Sequence, residues 1–231
     1  MNSIALEIPV DAPRFTLEAS TRKSQAGMVD LDSIWTQSTA RIPPRNVSQT
    51  MPARKIMVLR HAEKPEPARG VCGVDASGGQ DSRELSVRGW QRAATLVQFF
   101  APWDGRFAHP LIETPQAIYA ASAQGRSLRP LHTVQPLAQV LGLVVRDEFA
   151  DEHTVGLVAA AEAGADVALV SWRHDSMGAI ARTLIPDLRA PREWDPERFD
   201  VVWVFCRGGD RWTFEQVPQR LLPGDRADPI E

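Results

Sequence analysis

The segment Lys55-Ile-Met-Val-Leu-Arg-His-Ala-Glu-Lys-Pro65 is a short apolar run that leads directly into charged and polar side chains. An apolar run of this length predicts a strand that is buried on both faces of a parallel sheet. Ligands of such sheets bind beyond the carboxyl ends of the strands. Arg60 and His61 are therefore the first candidates for functional residues.

The chain after residue 55 repeats this pattern, because short apolar runs alternate with segments that are amphipathic at helical spacing. Such alternation predicts an α/β protein, a three-layer α/β/α sandwich with a mainly parallel sheet. The last two runs are joined through Gly208-Gly209-Asp210 and predict a hairpin that adds an antiparallel C-terminal edge. The predicted strands are residues 55–59, 117–121, 143–145, 167–171, 201–206 and 212–217.

Four helices are predicted between these strands, and they begin near residues 86, 127, 154 and 175. Ser86 is a plausible N-cap of the first helix. Pro130 suits the first turn of the second helix, whereas Pro136 predicts a kink or a second start within it.

Residues 1–53 differ from the rest, because they are mostly polar and irregular. We expect a poorly ordered N-terminal extension there, followed by a single folded domain over residues 54–231. Met51 directly precedes the first strong strand, so a translation start at Met51 is an alternative hypothesis.

The composition narrows the possible classes of protein. A net charge of −3, from 26 basic and 29 acidic residues, indicates neither a nucleic-acid nor a membrane surface. The two cysteines form no disulfide framework, and the N-terminus lacks the apolar core of a signal peptide. These features predict a cytoplasmic protein. No metal site is expected, because His109, His132 and His153 have no His or Cys neighbour at useful spacing.

Polar side chains follow three of the predicted strands, and these strand ends should meet at one edge of the sheet. Arginines and histidines at one edge suit phosphoryl transfer, which depends on positioning and on stabilising the charge of the equatorial oxygens. Guanidinium groups bind those oxygens bidentately, a neutral imidazole can attack phosphorus, and a protonated imidazole can hold an oxygen. The candidates are Arg60, His61, Glu63 and Lys64 after the first strand, Arg126 and Arg129 after the second, and Arg173, His174 and Asp175 after the fourth.

Four segments in order resemble the motifs of the histidine phosphatase superfamily, which has the phosphoglycerate-mutase-like fold. Leu59–Pro65 resembles its Arg-His motif, and Leu85–Ala93 is similar to its Leu-Thr-x-x-Gly-x-x-Gln-Ala helix start. Ser122–Thr133 resembles its second-arginine segment, and Val167–His174 its second-histidine strand. The resemblance covers residues 55–225 and implies that the folded domain is catalytic.

The resemblance implies a role for each matching residue. His61 would be the phosphorylated nucleophile, Arg60 and Arg129 phosphate ligands, and His174 the second phosphate-binding histidine. Arg126 competes with Arg129 for the second arginine, but the family places this arginine four residues before a threonine, which favours Arg129 over Arg126.

The proton donor of the family is usually an acid after the third strand. Asp147, Glu148, Asp151 and Glu152 are all available there, and Glu148 is our first choice.

The sequence thus predicts a phosphatase that needs no metal and no cofactor and hydrolyses a phosphate monoester, or phosphohistidine, through a phosphohistidine intermediate on His61. A phosphoglycerate-type mutase and a catalytically weak module that binds phosphorylated ligands are the alternatives. The substrate would be a phosphorylated small molecule or a phosphoprotein, contacted by the variable loops 66–82 and 102–115. The oligomeric state stays open.

Overall fold

The computed structural model describes residues 53–124, 126–187 and 194–231. The predicted extension therefore lies outside the described residues, except for Ala53. Ala53 is fully buried, and its backbone N–H donates to the carbonyl oxygen of Glu162 at 2.7 Å. The described fold thus begins directly before the first strand.

One six-stranded sheet forms the centre of the fold, in the order β3-β2-β4-β1-β5-β6. Strands β3, β2, β4 and β1 are parallel, β5 runs antiparallel to β1, and β6 runs antiparallel to β5. This arrangement confirms the predicted mainly parallel sheet with an antiparallel C-terminal edge. The strands are β1 (Lys55–Arg60), β2 (Ala117–Ala120), β3 (Val145–Arg146), β4 (Val167–Trp172), β5 (Val201–Gly208) and β6 (Arg211–Pro218).

Four helices cover the two faces of the sheet, which confirms the predicted three layers. Side chains alternate along a strand, so Met57 and Leu59 pack on one face while Ile56 and Val58 pack on the other. The first face is covered by α1 (Val87–Phe100) and α2 (Arg129–Leu141), and the second by α3 (Thr154–Gly164) and α4 (His174–Leu184).

Most boundaries differ from the prediction by one or two residues, and three of the differences concern β3, α4 and α2. β3 does not include Leu143, because the N–H of Leu143 donates to the carbonyl of Ala138 and closes the end of α2. α4 begins at His174 instead of residue 175, directly after the extended residue Arg173. α2 begins at Arg129 and continues past Pro136 without a second start.

The start of α1 is tied to the loop that follows β1. Ser86 caps this helix as predicted, because its Oγ accepts a hydrogen bond from the N–H of Gly89 at 3.1 Å. The N–H of Ser86 donates to the carbonyl oxygen of Glu63 at 2.9 Å, two residues beyond His61. A Cβ at Gly89 would lie 2.5 Å from that same oxygen, so only glycine allows this approach.

We therefore expect Gly89→Ala to destabilise the protein by about 1–3 kcal/mol, because the loop and the helix must move apart. Gly156→Ala in α3 is the matched control, since its Cβ would meet its nearest atom at 3.5 Å. The free energy of unfolding of this control should rise by about 0.5–1 kcal/mol, because alanine loses less backbone entropy than glycine when the helix forms. Urea unfolding of both variants checks this, and effects of the same sign would contradict it.

Candidate active site

Three parallel strands end together at the edge of the sheet where the candidate residues lie. Arg60 pairs with Trp172 across β1 and β4, and the N–H of His61 donates to the carbonyl oxygen of Trp172 at 2.9 Å. On the other side of β4, the N–H of Ala121 donates to Ser171 at 3.0 Å. In this register, His61 lies directly after β1, beside the end of β4. His174 is the first residue of α4, the helix that follows β4.

His61 is held as a neutral imidazole. Its side chain is buried, and its Nδ1 lies 2.7 Å from the carbonyl oxygen of Ala62. A carbonyl oxygen only accepts hydrogen bonds, so Nδ1 carries the proton and Nε2 keeps its lone pair. Burial lowers the pKa of His61 well below its ordinary value, and the charges of Arg60 and Arg129 lower it further. The unprotonated Nε2 is the form that a nucleophile requires.

Arg60 is held by the segment that precedes β5. Its guanidinium lies 3.8 Å from the centre of the Phe199 ring, and its Nη1 donates to the carbonyl oxygens of Pro196 and Arg198. The Phe199 ring also lies 6.2 Å from the His61 ring. Burial lowers the pKa of Arg60 to about 10, so the group stays charged at neutral pH.

Arg129 is connected through Thr133 to residues 61–66, which follow β1 and are named the nucleophile loop after His61, the nucleophile predicted from the sequence. The Thr133 hydroxyl accepts from the N–H of Ala62 at 2.8 Å and donates to the carbonyl oxygen of Arg129, four residues earlier, at 2.7 Å. The Arg129 side chain is half-buried and donates to the carbonyl oxygen of Ser82 at 3.1 Å. Arg126, the competing arginine, is exposed. The four-residue spacing therefore has a structural reason at Arg129.

His174 lies half-buried at the N-terminus of α4, where the helix presents free N–H groups to an anion. Burial lowers the pKa of His174, and the charges of Arg60 and Lys64 lower it further, whereas Asp175 raises it. A phosphoryl dianion beside His174 would act in the opposite direction and favour the protonated imidazole.

The four acids proposed as proton donors differ in their surroundings. Asp147, Glu148 and Glu152 are exposed, whereas Asp151 is half-buried. The Asp151 Oδ2 lies 2.8 Å from Nη1 of Arg173, and its Oδ1 is buried and has no hydrogen-bond partner among the described residues. Burial raises the pKa of Asp151 although Arg173 opposes this shift.

Glu148, our first choice from the sequence, changes the pKa of Tyr119 through its charge. Burial raises the pKa of Tyr119, and the Glu148 carboxylate adds to that shift. The Tyr119 hydroxyl donates to the carbonyl oxygen of Ala160 in α3. The described contacts therefore give Glu148 no partner at the nucleophile, while Asp151 is paired with the residue directly before His174.

Several buried donors at this edge have no partner among the described residues. They are the Nε atoms of Arg60, Arg129 and Arg173 and the Oγ of Ser171. A buried donor without a partner costs stability, so these groups are available to bind the oxygens of a ligand. The guanidinium groups of Arg60 and Arg129, whose charges act on the neutral His61, suit an anion with several oxygens. The described part of the chain holds no group of three or more His, Cys, Asp or Glu side chains placed to bind a metal.

The loop 102–115, predicted to contact the substrate, lies at the opposite edge of the sheet. The Lys55 side chain donates to the carbonyl oxygen of Leu111 at 2.8 Å, and the N–H of Gln116 donates to Val167. Lys55 and Val167 are the first residues of β1 and β4. The prediction was wrong because α1 runs back along the sheet and carries the following loop away from the site. The other loop, 66–82, reaches the site, because Ser82 contacts Arg129.

A buried ion cluster behind the nucleophile loop was missed from the sequence. Arg92 of α1, only 2% exposed, donates to the carboxylates of both Glu63 and Asp225. Asp225 also accepts from the N–H groups of Leu221 and Leu222, so the C-terminal tail is fixed to the same cluster. The pairing of Arg92 with Asp225 spans 133 residues and leaves no local signal.

The fold and the site together define an α/β protein in which arginines and a buried, neutral histidine lie at the carboxyl ends of the parallel strands. No family model and no curated protein matches the chain. Similar solved structures include the protein histidine phosphatase SixA complexed with tungstate, at 15% identity and a TM-score of 0.47, covering 71% of this chain and 97% of that one.

Two further similar structures also have phosphatase names. A mycobacterial glucosyl-3-phosphoglycerate phosphatase is 14% identical, with a TM-score of 0.48, and the match covers 71% of this chain and 98% of that one. A phosphoserine phosphatase from Entamoeba histolytica is 11% identical, with a TM-score of 0.45, over 73% and 98% of the two chains. The function proposed for this chain rests on its own site. No helix in the described ranges has the length and apolar character needed to cross a membrane.

Because His61 is neutral in the folded chain, the free energy of unfolding should decrease at acidic pH. Its pKa is lower in the folded chain than the ordinary value of 6.5, so the unfolded chain takes up the proton first as the pH falls. This contribution to stability is present above pH 6.5 and is lost as the pH falls towards the folded pKa, by up to about 2 kcal/mol between pH 7 and pH 5. His61→Asn should therefore lose less stability than the wild type over that range.

Denaturant unfolding at pH 7, 6 and 5 measures the difference between the two proteins. His174 and the other titrating groups are present in both, so their contributions cancel. Parallel stability curves for wild type and His61→Asn would contradict a neutral, buried His61.

Proposed function

We propose that the protein is a phosphatase of the histidine phosphatase superfamily type, which hydrolyses phosphate monoesters through a phosphohistidine on His61. The observation that carries the proposal is the buried, neutral His61, whose Nδ1 is bonded to the carbonyl oxygen of Ala62 and on which the charges of Arg60 and Arg129 act. The Nε donors of these two arginines lack partners among the described residues. An imidazole held in this state suits attack on phosphorus, and the unpartnered donors suit the phosphoryl oxygens.

The reaction takes two steps. In the first, Nε2 of His61 attacks phosphorus, the ester P–O bond breaks with its electron pair going to the leaving oxygen, and a carboxylic acid protonates that oxygen. In the second, water attacks phosphorus and its proton passes to the carboxylate, while the P–N bond breaks with its electron pair returning to Nε2, so that phosphate leaves and His61 is again neutral. Arg60, Arg129 and His174 hold the phosphoryl oxygens in both steps.

The nucleophile is tested by turnover of 4-nitrophenyl phosphate in the presence of EDTA. Wild type should hydrolyse it and form an acid-labile phosphoenzyme, whereas His61→Ala should lose at least about 1,000-fold in kcat and form none. His109→Ala is the matched control, because His109 lies in the loop at the opposite edge of the sheet, where its Nδ1 accepts from Leu111.

Each alternative has a distinct outcome in this assay. Binding of vanadate without any phosphoenzyme would contradict the proposal and favour a module that only binds phosphorylated ligands. Return of the phosphoryl group to an alcohol instead of to water would favour the mutase. Full activity of His61→Ala would exclude His61 as the nucleophile.

For the proton donor we propose Asp151 in place of Glu148, because Asp151 is half-buried and keeps one carboxyl oxygen without a partner among the described residues. Asp151→Asn should lower kcat/KM, which reports the first step alone, on an alkyl phosphate about 100-fold or more, the usual range for general acid catalysis. On 4-nitrophenyl phosphate, whose leaving group needs no proton, the loss should be small.

Glu148→Gln is the matched control for the donor and should act like the wild type on both substrates. Asp175→Asn tests the other acid near Asp151, whose charge raises the pKa of both Asp151 and His174. A selective loss on the alkyl phosphate in Glu148→Gln or Asp175→Asn, and not in Asp151→Asn, would move the assignment to that residue.

A further inference from the structure

Arg173 is the only arginine of the described site that pairs with a candidate proton donor. It follows β4, has an extended backbone (φ −93°, ψ 141°) and caps α4 directly before His174. Its Nη1 lies 2.8 Å from Oδ2 of Asp151, and the exposed fractions of the two side chains are 19% and 22%. The pair is thus partly shielded from water, where a charge contact is stronger than on an open surface.

The backbone on both sides of this pair is fixed. The N–H of Ser122, at the end of β2, donates to the carbonyl oxygen of Phe149 at 2.8 Å. Ala150 is buried, and its carbonyl oxygen accepts from the N–H of His153 at 2.9 Å. On the other side, Arg173 is continuous with β4. The Asp151 carboxyl is therefore carried by a fixed turn and not by a free loop.

The two oxygens of the Asp151 carboxyl have different surroundings. Oδ2 faces the Arg173 guanidinium, whereas Oδ1 is buried without a hydrogen-bond partner among the described residues. The other charged groups that act on Asp151 are Asp175 of α4, Glu152 beside it, and Arg126 of the segment after β2. The carboxyl is thus held through one oxygen, and the second oxygen is left for another partner.

We propose that Arg173 is a positioning residue that holds Asp151 through Oδ2, so that Oδ1 delivers a proton to the oxygen of an alcohol leaving group. This inference rests on the proposed phosphatase function. It also defines the substrate class as phosphate monoesters of alcohols, because an alkoxide is a poor leaving group and needs that proton. An aryl phosphate or a phosphoanhydride has a better leaving group and needs it less.

The position of Arg173 in the chain explains how one residue can serve this role. Arg173 directly precedes His174, so the backbone that places the second phosphate-binding histidine also places the group that orients the acid. Its charge lies close enough to Arg129 to lower the pKa of that arginine, after the larger effect of burial. After the first step, the same guanidinium stabilises the Asp151 carboxylate that must accept a proton from water.

The proposal is tested by the substrate dependence of kcat/KM, which reports the first step alone, in Arg173→Met and Arg173→Lys. Arg173→Met should lose about 10- to 100-fold in kcat/KM on an alkyl phosphate and about threefold or less on 4-nitrophenyl phosphate, since only the first needs a placed acid. Arg173→Lys keeps the charge but not the planar fork, and should recover part of the loss. Arg182→Met, an exposed position of the same helix, is the matched control.

A double-mutant cycle separates positioning from phosphate binding. When Asp151 is already Asn, Arg173→Met should cause little further loss on the alkyl phosphate, because both changes remove the same proton transfer. Equal losses on both substrates, with a raised KM and additive effects in the cycle, would show that Arg173 binds phosphate instead and would overturn the proposal.

A titration that needs no turnover tests the positioning role of Arg173 independently of the proposed phosphatase function. The pKa of Asp151, followed by NMR of the ¹³C-labelled carboxyl, should rise when Arg173 is changed to Met and stay unchanged in Arg182→Met. An unchanged Asp151 pKa in Arg173→Met would refute the positioning role. A wild type with the expected titration but neither turnover nor phosphoenzyme would instead refute the phosphatase function.

Discussion

The parallel pairing of β1 with β4 is the constraint on which the site depends. Arg60 stands opposite Trp172, and the N–H of His61 closes the last hydrogen bond of the pair. A shift of one residue would turn every side chain of β1 to the other face and move the core residues Met57 and Leu59 out of their layer. Because both faces of β1 are buried, this register is strongly fixed, and the positions of the two histidines are fixed with it.

Beyond the strand end, the nucleophile loop is held by contacts to three other parts of the chain. Thr133 fixes Ala62 to α2, Gly89 lets α1 approach Glu63, and Arg92 joins Glu63 to Asp225 of the tail. Burial of an arginine between two carboxylates is seldom a gain in stability over an apolar cluster, but removal of one member leaves a buried charge unpaired. The cluster therefore restricts the loop more than it stabilises the fold.

The layers, the strand ends and the arginine-histidine set could be predicted because each has a local signal. Buried strands read as apolar runs, and polar residues after them lie at one edge of a parallel sheet. The contacts of the loops could not be predicted in this way. Arg92 meets Asp225 across 133 residues. The burial of Asp151 and its pairing with Arg173, which distinguish it from the exposed Glu148, also arise between segments that are distant in the sequence.

The electrostatics of the described site point to a protein arranged around an anion. Burial and neighbouring positive charges lower the pKa values of Arg60, Arg129 and His174. The charged form of each of these groups is therefore less stable here than in water, and the Nε atoms of Arg60 and Arg129 lack partners among the described residues. A bound phosphoryl group would supply both the opposite charge and the missing acceptors. Because such a ligand interacts with the folded chain alone, its binding should also raise the free energy of unfolding.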